Sequence, residues 1–449
     1  MTAGCLSGIW DIRLFVEKAH ARRDKEGKTG KMEGYKEKTP LGANIHYFIK
    51  WTLISVVTGC IVGLVGTAFG KGVAFATTFW QSHHWSLFLM PVVGLFIVWL
   101  YRVTKEEKNR GTNMVISSIS SNEKITLATA PLIFCSTILS HCVSASVGRE
   151  GAALQLGGAL GDLFGSVLHL DEKDKKIAVM CGMSACFAAV FGTPLAAGVF
   201  AMEVVSIGVM YYSALVPCLF ASFIGAGIAG KLGLAPEAFP VSGVPPMSVT
   251  GAVLAVILAM VCACAGILLC VSLHNSGKFA QKLVPNPYLR VLAGSAIFIV
   301  MTLIFKERYY NGGGMQLIEC CFEGESVPVY AFLMKIVFTS IALSAGFKGG
   351  EIVPTLTVGA SVGYLLTSVL PLPSSLGTAM GMACLFVSVT NCPVSTILMA
   401  FELFGFEAMP YFAIAVAVSF TLSGYYGLYS SQKFIYSKIR NEYINRKSH

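Results

Sequence analysis

The 449-residue sequence is poor in charge. Asp, Glu, Lys and Arg make up only 13% of it, about half the ~25% of an ordinary soluble domain. With 55% hydrophobic residues and a mean hydropathy of +0.68, this excludes a soluble enzyme and identifies a polytopic membrane protein. CxxC spacing is also missing. The 14 cysteines lie mostly in apolar runs (Cys60, Cys135, Cys181, Cys218, Cys270), where a thiol behaves as a small buried hydrophobe. Neither a metal nor a cofactor is expected. No HExxH motif or nucleophile constellation is present, so a membrane enzyme with Glu150 and Glu203 as an acid/base pair lacks its other parts. The N-terminus has no apolar core with a cleavage site, which excludes a secretory signal. The net charge of +9 sits in the ends and loops. In a membrane protein that sets orientation and does not indicate nucleic-acid binding.

Apolar runs recur at 48–69, 85–101, 252–271, 291–305, 331–347 and 411–428. Several fall short of the ~20 residues of a perpendicular span, and many contain Gly or Pro. Tilted and partial helices are expected. Residues 1–44 read as a basic tail, 45–245 as a first membrane repeat, 246–438 as a second, and 439–449 as a short tail. The stretch 233–250, with Pro236, Pro240, Pro245 and Pro246, is the expected joint between repeats. Basic clusters at the N-terminus, at 102–110, at 171–176 and at the C-terminus place both termini in the cytoplasm of a multi-pass cell-membrane protein. No soluble regulatory domain is expected beyond the C-terminal tail.

Against this background the few remaining carboxylates are informative. Between 177 and 230 the only Asp, Glu, Lys or Arg is Glu203; between 336 and 432 there are only Lys348, Glu351, Glu402 and Glu407. A charge at membrane depth costs about 2.5–3.5 kcal/mol on insertion scales and marks a pathway or a paired structural site. Two stretches repeat at an offset of 202. Gly148-Arg149-Glu150-Gly151 leads into Leu154, Gly157 and Gly161; Gly349-Gly350-Glu351-Ile352-Val353-Pro354 leads into Leu356, Gly359 and Gly363. A second pair, Pro194 to Glu203 and Pro393 to Glu402, repeats at 199. Internal repeats with Gly/Pro-interrupted apolar segments point to a transport site where broken helices meet.

Both Gly-Glu stretches read as loop-to-helix junctions, with Pro354 suited to a first helical turn. Two helix N-termini aimed at one spot offer free N–H groups and partial positive charge, an anion site without lysine. Glu150 there could occupy an anion position, swing away on protonation and carry a proton. It could equally pair with Arg149 as structure. His141 reads as a satisfied buried histidine, and Glu203 and Glu402 as supports for helix packing, with Glu203 also able to line a vestibule.

Taken together, Gly148-Arg149-Glu150-Gly151, Gly350 to Pro354 and the two Pro-to-Glu helices resemble the CLC family of chloride channels and anion/proton antiporters, from about residue 45 to Lys438. The resemblance implies an all-α membrane fold of two inverted repeats, and a homodimer with one pore per subunit in the lipid bilayer. It implies gating and proton transfer by Glu150. The implied anion-binding groups are Thr112 at the family's central-serine position, Gly148, Arg149, Gly151, Gly350, Glu351, Ile352, Val353, and Tyr436 as the central tyrosine.

This sequence departs from the family pattern at several positions. Val115 and Ala152 replace common prolines. Val204 replaces the second acid of a Glu-Glu pair, the internal proton acceptor of well-known antiporters. Glu351 resembles the fluoride/proton antiporter branch, although that branch commonly has Met at Thr112 and Thr at Val353. The alternative for Glu351 is a pair with Lys348. The expected function is a CLC-type halide transporter moving chloride, as a proton antiporter gated by Glu150. Fluoride/proton antiport and a gated channel are the close alternatives, and a carrier of small organic solutes the distant one.

Overall fold

The structure, a computed structural model, describes residues 40–121, 123–305 and 308–448. The chain divides into two compact units, Met1–Ile49 and Lys50–His449. Most of the expected basic tail, residues 1–39, lies outside the described residues. Its last five residues do not behave as a tail, because helix α1 already begins at Pro40.

Sixteen α-helices form among the described residues. The first eight are α1 Pro40–Ser82, α2 Met90–Val103, α3 Thr112–Ser121, α4 Thr129–Cys142, α5 Glu150–Val167, α6 Glu172–Phe191, α7 Pro194–Glu203 and α8 Leu215–Lys231. The second eight are α9 Val249–Leu283, α10 Pro287–Phe305, α11 Met315–Glu323, α12 Ala331–Ala345, α13 Ile352–Thr367, α14 Ser374–Thr390, α15 Pro393–Phe404 and α16 Met409–Leu422. Their lengths run in parallel: 43, 14, 10, 14, 18, 20, 10 and 17 residues, then 35, 19, 9, 15, 16, 17, 12 and 14. The sequence offsets of 202 and 199 are therefore the trace of two eight-helix series. Between them, residues 234–248 carry no regular structure and hold the four prolines of the expected joint.

Among the described residues five helical segments are long and apolar enough to cross a membrane: Leu41–Ser82, His84–Val103, Tyr212–Lys231, Val249–Leu283 and Pro287–Phe305. The first, at 42 residues, would span about 63 Å at 1.5 Å per residue, twice the ~30 Å hydrocarbon core, so it cannot stand perpendicular within it. By contrast α3, α7, α11 and α15 have only 9–12 residues, roughly half a membrane's depth. These are the broken helices expected from the Gly/Pro punctuation.

Glycine sets the packing of the helices that follow the two Gly-Glu stretches. α5 lies against α6, and α13 against α14, backbone to backbone. A methyl group on Gly157 would stand 2.2 Å from the Gly182 carbonyl oxygen; one on Gly363 would stand 2.1 Å from that of Gly377. Small residues let helix backbones approach this closely where no hydrophobic driving force acts between helices in lipid. The stripe Gly157, Gly161 and its repeat Gly359, Gly363 are the same device used twice.

The fold is not purely helical. β1 Ser206–Ile207 pairs parallel with β2 Lys433–Tyr436, which pairs antiparallel with β3 Tyr443–Lys447. The stretch 439–449, expected as a free tail, thus contributes a strand anchored to the chain just after α7.

Candidate functional site

The two Gly-Glu stretches meet. Gly148 N–H donates to the Gly350 carbonyl and Gly350 N–H donates to the Gly148 carbonyl, both at 2.7 Å, in a lone antiparallel bridge. A methyl group on Gly350 would stand 2.4 Å from Gly151 N, and one on Gly151 2.8 Å from Gly350 Cα. Only hydrogen fits at either position. The contact brings the N-terminus of α5, which opens on Glu150, beside that of α13, which follows Glu351. The first N–H groups of each helix have no partner within it, and both helix dipoles present their positive ends here.

Glu150 is buried at 1% exposure. Its Oε2 accepts from Arg149 N at 3.1 Å and its Oε1 from Arg149 Nε at 3.3 Å. The Arg149 guanidinium also pairs through Nη2 with Glu237. The Arg149–Glu150 pair expected as an alternative is therefore present, but shared with a third group. Glu237 was missed by sequence reasoning. It is the lone acid in the proline-rich joint, and that isolation was the available signal.

Glu351 sits just before α13 with its Oε2 buried and without a hydrogen-bond partner. The expected alternative, an ion pair with Lys348, does not form among the described residues. Lys348 places its ammonium over the Tyr101 ring, 4.5 Å from the centroid. Ile352 and Val353 are buried in the first turn of α13.

Thr112 opens α3 and is buried. Its hydroxyl donates to the Gly151 carbonyl at 3.2 Å and accepts from Gln155 Nε2 at 3.3 Å, so it is tied to the residue following Glu150. A cavity of about 280 Å³ reaches Gly148, Arg149, Glu150 and Val353, and is also lined by His141, Glu237 and Arg308. His141 is buried with Nδ1 bonded to the Thr137 carbonyl at 2.9 Å, as read for a satisfied histidine, and it borders this cavity.

Glu203 and Glu402 do support helix ends, by an exchange between the two series. Glu203, at the end of α7, accepts from Val394 N at 3.1 Å and Ser395 N at 2.9 Å, in the first turn of α15. Glu402, in the last turn of α15, accepts from Leu195 N at 2.8 Å and Ala196 N at 2.9 Å, in the first turn of α7. Each series supplies the N-terminal anion that the other's short helix needs. Glu203 also borders a separate cavity of about 350 Å³ with Asn391, Tyr436 and Lys438.

Comparison with known proteins places the chain in a family. Residues 93–424 match the family described as voltage gated chloride channel. The chain belongs to the CLC family. It is 34% identical over 399 residues to the chloride/fluoride channel protein of Pseudomonas syringae pv. tomato, covering 87% of this chain and 88% of that protein. It is 24% identical over 402 residues to the H(+)/Cl(-) exchange transporter ClcA of Vibrio cholerae, covering 82% and 83%. A crystal structure of a CLC-type fluoride/proton antiporter superposes with a TM-score of 0.83 at 30% identity, over 88% of this chain and 99% of that one. The fold is accordingly the CLC fold of two inverted repeats.

In this CLC chain Tyr436 does not join the other expected residues. It is 43% exposed, at the end of β2, with its ring against Tyr443. The buried tyrosine of this C-terminal segment is Tyr429, whose hydroxyl has no hydrogen-bond partner and which lies within electrostatic reach of Glu351. Its segment is fastened to α3 beside Thr112: Asn113 Oδ1 accepts from Ser431 N at 2.9 Å, and Ser117 Oγ donates to Ser431 Oγ at 2.9 Å. The structure therefore gathers Thr112, Gly148, Arg149, Glu150, Gly151, Gly350, Glu351, Ile352 and Val353, fastens the segment after Tyr429 to α3, and leaves Tyr436 outside this group.

Proposed function

We propose that this CLC protein is a halide/proton antiporter that carries fluoride in preference to chloride. The observation that carries the reading is the Glu351 carboxylate beside the Gly148–Gly350 bridge, whose Oε2 is buried without a hydrogen-bond partner. A dehydrated anion would be held by the first N–H groups of α5 and α13, at Gly151, Ile352 and Val353, and by the Tyr429 hydroxyl, with the Thr112 hydroxyl turning from the Gly151 carbonyl to join them. Protonated Glu351 donates an O–H to the anion. Small, basic fluoride accepts such a bond better than chloride does. Glu150 blocks the path when ionised, held by Arg149, and carries its proton when it leaves. The relative described as a chloride/fluoride channel protein and the neighbour described as a fluoride/proton antiporter support this choice.

The repeats are assigned to 45–245 and 246–438, both termini to the cytoplasmic side of the cell membrane, and the working unit to a homodimer. A second reading, chloride/proton exchange, is favoured by Thr112, whose hydroxyl matches the family's central serine, and by the similarity to ClcA. No enzymatic step is assigned.

The test is efflux from proteoliposomes with the two halides compared and internal pH followed. Faster fluoride efflux with a pH change is expected. Faster chloride would establish the second reading, and efflux without a pH response would mean a gated channel. If neither halide moved, the carrier of small organic solutes would replace both.

A further inference from the structure

A crevice of about 480 Å³ lies between α9, α10 and α12, within the ~300–1,000 Å³ range of small-ligand sites. Its walls are apolar, with Phe279, Leu283, Ile297 and Ile341 prominent among them. Two buried polar atoms in this lining have no hydrogen-bond partner. Arg290 Nε has no hydrogen-bond partner, although Arg290 Nη1 reaches the Val284 carbonyl at 3.3 Å. Ser340 Oγ, on a side chain only 7% exposed, is also unpartnered. A buried guanidinium N–H facing apolar walls lacks the acceptor that would offset its desolvation. Among the described residues no acidic side chain lines the crevice.

The surroundings indicate where an occupant comes from. Leu289, Leu292 and Val300 on α10 are exposed, an apolar surface of the kind a membrane-spanning chain turns towards lipid. Arg290 stands in the first turn of α10, and Lys278 and Lys282 in the last turns of α9. The cationic end of the crevice is thus the end where these two helices turn back, at a membrane face. Basic pockets between helices at such a face suit acidic headgroups.

We propose that this crevice binds an anionic phospholipid from the bilayer, with its phosphate on Arg290 and one acyl chain between α9, α10 and α12. Acyl chains are as apolar as the walls, so chain burial confers no preference over bulk lipid. The preference comes from the headgroup charge.

The binding test does not depend on which ion is carried. Purified full-length protein is incubated with phosphatidylglycerol or with phosphatidylcholine of the same chains, and retained lipid is read by native mass spectrometry. One basic residue near the surface predicts about a five-fold preference for phosphatidylglycerol. Arg290→Gln should abolish the preference. Ala293→Phe, at an exposed lining position, should block retention of either lipid in the crevice while leaving the fold intact. Equal retention of both lipids by the native protein and both variants would overturn the proposal. So would displacement of phosphatidylglycerol by inorganic phosphate, which would make this a site for free anions. Loss of the oligomer in Ala293→Phe, with no lipid on the native protein, would assign the face to a second copy instead.

Discussion

Replacing Glu203 with Gln separates a structural role from a proton-carrying one. The Glu203 carboxylate accepts from Val394 N at 3.1 Å, from Ser395 N at 2.9 Å and from Ser395 Oγ, and is 7% exposed. Hydrogen bonds to a charged acceptor contribute about 1.5–3 kcal/mol each. Gln keeps one carbonyl oxygen and turns an NH2 group on a backbone donor. The Ser395 hydroxyl can turn to accept from the new NH2 group, so only the two backbone bonds are counted: both charge-assisted bonds are lost, roughly 3–6 kcal/mol, offset by about 1 kcal/mol for the one that re-forms to a neutral carbonyl. The expected destabilisation is therefore about 2–5 kcal/mol, localised at the start of α15. The assay is size-exclusion recovery of the detergent-solubilised protein after heating, with halide-coupled proton movement measured on the surviving fraction. A lower midpoint with unchanged proton coupling per halide is expected. Glu402→Gln should shift the midpoint in the same direction but less, because Glu402 is more exposed. An unchanged midpoint with lost proton coupling would refute the capping argument and make Glu203 a proton relay despite Val204 beside it.

Other substitutions probe the site directly. Glu150→Gln should stop proton movement while halide efflux in proteoliposomes continues; persistent pH change would remove Glu150 from its role. Tyr429→Phe removes a buried hydroxyl that has no protein partner, so stability should change by no more than about 1 kcal/mol while halide efflux slows. Tyr436→Phe should leave both unchanged. Glu351→Ile should lower fluoride efflux more than chloride efflux, and equal loss of both would indicate misfolding. Gly182→Ala places a methyl group 2.1 Å from the Gly157 carbonyl oxygen. It should cost at least the ~1–3 kcal/mol of an overpacked core, read as a lower unfolding midpoint.

What could be read from the sequence follows the range of the interactions involved. The repeat was legible because Gly157, Gly161, Gly359 and Gly363 answer a local demand, the close approach of α5 to α6 and of α13 to α14. The helix starts at Pro194 and Pro393 were legible for the same reason. The choice between Tyr429 and Tyr436 was not. Both precede a serine, and they are seven residues apart. The difference lies in β2, where the register shifts between Phe434 and Tyr436. Phe434 stays buried and Tyr436 turns outward. Such an irregularity depends on strands brought from residues 206–207 and 443–447, and local composition carries no sign of it. Glu237 was hidden likewise, because its partner Arg149 is 88 residues away.

The contacts that sequence could not show are also those that join the repeats. Gly148 finds its bridge partner in Gly350, Glu203 caps α15, and Glu402 caps α7. A single repeat would leave one short helix with its first N–H groups uncapped and one Gly-Glu motif without its opposite number. An unpaired polar group in hydrocarbon costs several kcal/mol, so such a half would lack both a complete anion site and a stable short helix. The same few hydrogen bonds therefore assemble the site and hold the repeats together. The backbone of each Gly-Glu motif leaves no room for a side chain on the facing glycines of the other, so under the proposed function halide preference rests on side chains such as Glu351 and Thr112.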